Sequence, residues 1–269
     1  MRKFLDIGEL GWSLYLTAHI NWLIARGHKC LVYTNKPSLF NCETEPIEGF
    51  EHWDKPADGL GRIGVSDEEV RELYPDLVGY VSYDPNLRED GLRSPNWDLL
   101  RMCIHLPLKR TKLIDGDYVA VCPRMRDDGV HGTRDLPEKF YRDLMRRISS
   151  ERRVVSLGTL DGAYDIELLN PLYQNMVGKT NIQDMVDFLS SASYVIGGTS
   201  APPKISLLQG VPTFIIGHEK HRFQIQDNWS CTPCGFYEIG KDEYSDIELT
   251  NSIYAEIDEF LSTDFRGDK

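Results

Sequence analysis

Apolar and polar positions along the chain follow two rhythms in alternation. Near the N-terminus, KFLDIG (residues 3–8) is a short apolar run that ends in glycine. It leads into WSLYLTAHINWLIARG, where Leu16, Ile20, Leu23 and Ile24 recur at helical spacing and Gly27 supplies a stop. HKCLVYT (28–34) then reads as a strand, which completes the opening βαβ unit of a parallel sheet. Residues 36 to about 110 are less regular. SDEEVRELY carries Ser66 and Glu69 at capping-box spacing, LVGYVSY predicts a strand, and DPNLREDGLRSPNW is a turn-rich surface loop. From Asp117 the rhythm returns. YVAVCPR is a strand, and DLPEKFYRDLMRRISS is a helix with Pro137 in its first turn and Phe140, Leu144 and Ile148 on one face. RRVVSLG (strand), NIQDMVDFLSSA (helix), SYVIGG (strand), APPKISLLQG (helix) and VPTFIIG (strand) follow, and LTNSIYAEIDEFLST closes the pattern as an amphipathic helix.

This order predicts an α/β protein of two units joined near residues 111 to 117: an N-terminal domain over 1–115 and a C-terminal domain over 116–269. The last helix is a candidate to pack back on the N-terminal domain. Parallel sheets present the carboxyl ends of their strands to ligands, so two such domains would face one another across a cleft.

Composition narrows the reading. The chain has 269 residues, enough for a large core, and no apolar run near the roughly 18 residues of a membrane span. MRKFLDIGELGW passes from two basic residues directly into a strand, without the apolar region and cleavage site of a secretory signal, which predicts a cytoplasmic protein. A formal net charge of −12 argues against general nucleic-acid or membrane binding, because phosphate backbones reward concentrated Lys and Arg. Of six cysteines only Cys231 and Cys234 form a pair, with His218 and His221 nearby; without a second CxxC, reduced loop thiols are the simpler reading and no metal site is assigned.

Candidate chemistry lies in the loops after strands. In GGTSAPPK, Gly197 and Gly198 end a strand, Thr199 and Ser200 can cap a helix, Pro202 suits its first turn, and Lys204 adds a full charge one turn in. A helix start joins unpaired amides to the positive end of the macrodipole, so the segment reads either as a phosphate seat or as an ordinary helix cap. CPRMRDDGVHGTRDLP places Arg124 and Arg126 two apart beyond a strand end and Arg134 after a glycine-containing loop, with His131 among them. Arginine suits bidentate phosphate recognition; salt bridges to Asp127 and Asp128 are the alternative. SLGTLDG, with Gly158, is a third loop at the same sheet edge. In DIGELGW, Gly8 and Gly11 permit tight backbone geometry, and Glu9 is either a general base or an exposed carboxylate. Asp6, inside the strand, is read as fixing local backbone. No GxSxG, HExxH or P-loop sequence occurs.

These residues resemble the GT-B glycosyltransferases, in particular the heptosyltransferase-like group. VCPRMR…TRDLPEKFYRDLMRRI is similar to that group's strand, substrate-binding loop and helix. NIQDMVDFLSSASYVIGGTSAPPKISLLQGVPTFIIG is similar to its helix, strand, phosphate loop, helix and strand, and DIGELGW to its glycine-rich first loop. The resemblance implies two Rossmann-like domains, the N-terminal one reduced, and transfer of a sugar from a nucleotide-diphosphate sugar to a hydroxyl acceptor without a metal or cofactor. Thr199, Ser200 and Lys204 would then meet the pyrophosphate, Arg124 and Arg126 would assist, and a first-loop carboxylate would take the acceptor proton. The heptosyltransferase loop carries Asp directly after its glycine; Trp12 stands there in this chain, which makes Glu9 the substitute base. An epimerase or hydrolase of the same fold, and an inert nucleotide-sugar or glycan-binding module, are the competing readings.

Overall fold

The computed structural model describes residues 1–8, 10–48, 67–81, 85–86, 111–126, 134–218, 232–240, 244 and 246–265. The chain divides into two compact units, Met1–Leu108 and Lys109–Lys269. In the first unit, β1 (Arg2–Asp6), β2 (Cys30–Thr34), β3 (Glu43–Glu45), β4 (Leu77–Val81) and β5 (Pro85–Asn86) form one sheet in the order β3-β2-β1-β4-β5. All pairings are parallel except β4 with β5. Helix α1 (Leu10–Ala25) returns the chain from β1 to β2 and buries Leu14, Leu16, Ile20 and Leu23 completely. Gly27, at φ 80°, lets the chain leave that helix: Gly27 N–H donates to Ile24 O at 2.9 Å and His28 N–H to Leu23 O at 3.1 Å. That pair of bonds satisfies the last carbonyls in a left-handed turn that a β-carbon would strain. Helix α2 (Asp67–Leu73) contributes Val70 to a small core with Leu5, Ile7 and Tyr80.

The second unit is built on six parallel strands: β6 (Val119–Cys122), β7 (Val154–Ser156), β8 (Tyr173–Asn175), β9 (Tyr194–Gly198), β10 (Thr213–Gly217) and β11 (Cys234–Glu238). Their order is β11-β10-β9-β6-β7-β8. Strands β6, β7 and β10 are buried at every residue, the burial expected of central parallel strands covered on both faces. Helix α3 (Glu138–Ile148) lays Phe140, Tyr141, Leu144, Met145 and Ile148 onto the sheet. Helix α4 (Ile182–Ser191) starts with a capping box, Asn181 and Asp184 each accepting from the other's backbone N–H. Helix α5 (Ala201–Leu208) follows β9, and α6 (Asn251–Ser262) is capped by the Thr250 hydroxyl. The apolar face of α6, with Ile253, Ile257 and Leu261, belongs to the same core as Val119, Phe140, Phe214 and Ile216, so the last helix buries itself within the second unit.

The strand order fixes where a ligand can enter. From β6 the chain proceeds outward through β7 to β8, and from β9 it proceeds the other way through β10 to β11. Neighbouring β6 and β9 therefore lie at a topological switch point, where the connections after them diverge and open a crevice beyond their carboxyl ends. In the first unit the same reversal falls between β1 and β4.

Candidate functional site

Beyond Cys122 the chain stays extended and meets the loop after β7. Arg124 forms an isolated antiparallel bridge with Ala163, Met125 N–H donates to Gly162 O at 3.1 Å, and Tyr164 N–H donates to Pro123 O at 2.8 Å. Gly158 serves this contact, because a β-carbon there would stand 2.3 Å from the Ala163 β-carbon. Its role is to let two loops pack beside the crevice.

The Arg124 guanidinium and the Arg126 backbone are both committed to one carboxylate. The Arg124 side chain is 6% exposed and its guanidinium donates to Asp135 Oδ1, while Arg126 uses its backbone N–H to donate to Asp135 Oδ2 at 2.5 Å. Burial lowers the Arg124 pKa from its ordinary value and Asp135 opposes the shift, so the guanidinium stays charged within the pair. Asp127, Asp128 and His131, named with these arginines in the sequence, lie outside the described residues, as does Glu9.

On the other side of the crevice, β9 ends in two glycines. A β-carbon at Gly197 would come within 2.8 Å of Pro203 Cγ and 3.2 Å of Cys122 Cβ, so glycine allows α5 to start close against the β6–β9 pair. Ser200 is the N-cap residue in extended conformation, without a side-chain cap bond. Pro202 and Pro203 lack N–H groups, so this first turn offers an anion fewer amides than an ordinary helix start. The macrodipole remains, and side chains must supply the rest.

Three groups do so. Lys204 is half-buried, and burial together with the neighbouring Arg134 charge lowers its pKa to about 8. Arg134 acts electrostatically on Lys204, Arg124 and Tyr244, which brings the start of α3, the end of β6 and the start of α5 into one neighbourhood. Among the described residues no carboxylate pairs with Arg134. Thr199 is 5% exposed and its buried hydroxyl faces the Tyr244 phenol without forming a proper hydrogen bond among the described residues. Tyr141, completely buried, sets its hydroxyl beside the Arg124 backbone without a full hydrogen bond, 3.4 Å from where a Gly198 β-carbon would stand. Burial raises its pKa, so it remains a neutral phenol and a hydrogen-bond donor. Buried polar groups without partners are rare and mark places completed by water or ligand.

Arg134, Gly198, Thr199, Ser200 and Lys204 are thus brought together at one crevice, with Arg124, Arg126 and Gly158 in its supporting wall. Three contributors escaped the sequence reading. Asp135 was masked by nearer acids, Tyr141 lay in the apolar stripe four residues before Met145, and Tyr244 came from a stretch without periodicity.

In the first unit the corresponding crevice holds a closed polar cluster. Asp6, fully buried, accepts from the hydroxyls of Ser13 at 2.7 Å and Thr34 at 2.9 Å and pairs with Lys36 Nζ at 3.2 Å. It ties the end of β1 to α1 and β2. Among the described residues no three or more His, Cys, Asp or Glu side chains gather in a way that could hold a metal. Cys231 and His221 lie outside the described residues, and burial raises the thiol of Cys234 to about 12. No described helix is long and apolar enough to cross a membrane.

No protein-family model matches the chain, and no curated protein matches its sequence. Solved structures do. A glycosyl transferase family 9 protein from Veillonella parvula DSM 2008 aligns over 97% of this chain and 97% of its own, with a TM-score of 0.63 and 12% identity. The E. coli ADP-heptose LPS heptosyltransferase II aligns over 97% and 98%, at 0.58 and 12%. The E. coli heptosyltransferase WaaC, solved with ADP, aligns over 97% and 100%, at 0.56 and 13%. The chain therefore carries the GT-B type of fold that its sequence resemblance implied, with two Rossmann-like units of parallel strands.

Proposed function

We propose that the second unit seats the diphosphate of a nucleotide sugar at the β6–β9 switch point and that the protein transfers the sugar to a hydroxyl acceptor. One observation carries this reading: Arg134, Lys204 and the buried hydroxyl of Thr199 converge on the start of α5, beyond the carboxyl ends of the two switch-point strands. An anion there gains a helix dipole and two cations in a partly desolvated crevice, where such interactions outweigh their value in water. In the reaction the bond from the anomeric carbon to the diphosphate oxygen breaks and a bond to the acceptor oxygen forms. Negative charge then builds on the departing diphosphate, where Lys204 and Arg134 stabilise it without a metal. Glu9, after Gly8 at the end of β1, is the candidate to take the acceptor proton. The structural neighbours named for ADP-heptose and ADP make an adenosine diphosphate sugar the first donor to try.

Calorimetric titration with ADP, UDP, GDP and pyrophosphate, in the presence of EDTA, tests the seat. Binding that weakens at least tenfold in Lys204→Ala and in Arg134→Met is the expected result; undiminished binding in both variants refutes it. Trp12, standing where the resembled loop carries Asp, favours a second reading as a nucleotide-sugar binder without turnover. Donor binding with no sugar transferred or hydrolysed across an acceptor panel would establish that reading.

A further inference from the structure

We infer that Asp135 is a positioning residue of the anion seat: it latches the end of β6 to the start of α3 and thereby holds its neighbour Arg134 against α5. The inference rests on the diphosphate reading above. A carboxylate is an unexpected occupant of this place, because it stands beside Arg134, where a negative ligand is to bind. It is only 10% exposed, so it is withheld from water as well. Such a group is retained in a buried site only when it is fully engaged.

Asp135 is engaged on both oxygens. Oδ1 accepts from the Arg124 guanidinium and Oδ2 from the Arg126 N–H at 2.5 Å, so one carboxylate grips a side chain and a backbone group of the same strand extension. That extension is held from its other side by Ala163 and Gly162. On the chain, Asp135 lies between Arg134 and Leu136, which is fully buried, and Pro137 caps α3 directly after it. Arg134 therefore projects from the leading end of a short segment that is fixed by the latch at Asp135, by buried Leu136 and by the helix start after them. The Arg134 carbonyl lies 3.9 Å from the β-carbon position of Gly198, which places this segment against the β9 turn itself. The latch also neutralises Arg124, whose charge would otherwise repel Arg134 from the place it occupies.

The consequence runs against simple electrostatics. Asp135→Asn removes a negative charge beside an anion seat, and on charge alone it should tighten binding. If Asp135 positions Arg134, the same change loosens the segment, restores Arg124–Arg134 repulsion and weakens binding.

The test is pyrophosphate and ADP affinity by calorimetry in the wild type, Asp135→Asn, Arg134→Met and the double variant, with thermal melting in parallel. Asp135→Asn should bind at least tenfold more weakly than wild type, and adding it to Arg134→Met should change affinity less than twofold, because the latch acts through Arg134. Should Asp135→Asn fail to fold, Arg124→Met with Asp135→Leu replaces the buried pair by apolar side chains and should show the same tenfold loss. Equal or tighter binding in the folded variant, or losses that multiply in the double variant, would overturn the positioning role. If the wild type itself binds neither probe, the seat is wrong and the role of Asp135 falls with it.

Discussion

Replacing Lys204 with methionine should make the protein more stable and unable to hold a diphosphate. In the unliganded protein the ammonium is held where burial, aided by Arg134, brings its pKa from 10.5 to about 8. That drop corresponds to about 3 kcal/mol by which the charged form is disfavoured in the native state. Polar interactions lost with the ammonium offset part of this, so the expected gain for Lys204→Met at pH 7 is about 1–3 kcal/mol, or a rise in Tm of about 3–8 °C. The sign with pH is fixed by the protons each state holds. Between about pH 8 and 10.5 the unfolded chain keeps a proton that native Lys204 has released, so wild-type stability rises over that range as the penalty is relieved. The advantage of the variant should therefore be largest below pH 8 and fade towards pH 10. Ligand reverses the comparison: ADP at a hundred times its Kd adds about 2.7 kcal/mol to the wild type by mass action and far less to a variant that binds it poorly. Scanning calorimetry at pH 7 and pH 10, with and without ADP, reads all of this. A variant less stable than wild type at pH 7, or an advantage that does not change with pH, would refute the reasoning.

Other expectations test separate parts of the structure. Asp6→Asn should destabilise the first unit by about 3 kcal/mol, since it leaves Lys36 without its buried carboxylate; the midpoint of urea unfolding measures it. Gly197→Ala pushes a β-carbon towards Pro203 and Cys122, which costs about 1–3 kcal/mol in overpacking and shifts the start of α5, so melting temperature and ADP affinity should fall together. Glu9→Gln should lower turnover by roughly 10²–10⁴ while leaving donor affinity intact, as expected of a general base; unchanged turnover in an active preparation removes Glu9 from that role.

The fold was most legible where burial is two-sided. Strands β6, β9 and β10 carry continuous apolar runs because helices cover both faces, and glycines at the end of β9 and after α5 punctuate them clearly. At Gly210, φ of 75° and the Val211 N–H to Ser206 O bond reproduce the helix stop that the sequence announced. Edge strands gave no such signal. Glu43–Glu45 and Tyr173–Asn175 join their sheets through backbone pairing, with side chains that are largely polar, and Cys234–Glu238 lay beside a cysteine pair that drew attention to thiol chemistry instead.

At the crevice, loop positions were readable and charge assignments were not. Glycines and prolines announce where strands end and α5 begins, but the partner of a cation depends on which loop folds over it. Asp127 and Asp128 are the carboxylates nearest Arg124 in sequence, and the one that holds it, Asp135, is eleven residues away. Pro203 carried a readable consequence that its neighbours obscured. With Pro202 it removes two amides from the helix start, so an anion at α5 must draw on side chains more than on backbone. Arg124 is engaged by Asp135, and among the described residues Lys204 and Arg134 are the cations that the proposed reading sets against a ligand. On the diphosphate reading, affinity would follow the protonation of one half-buried lysine and the placement of one arginine.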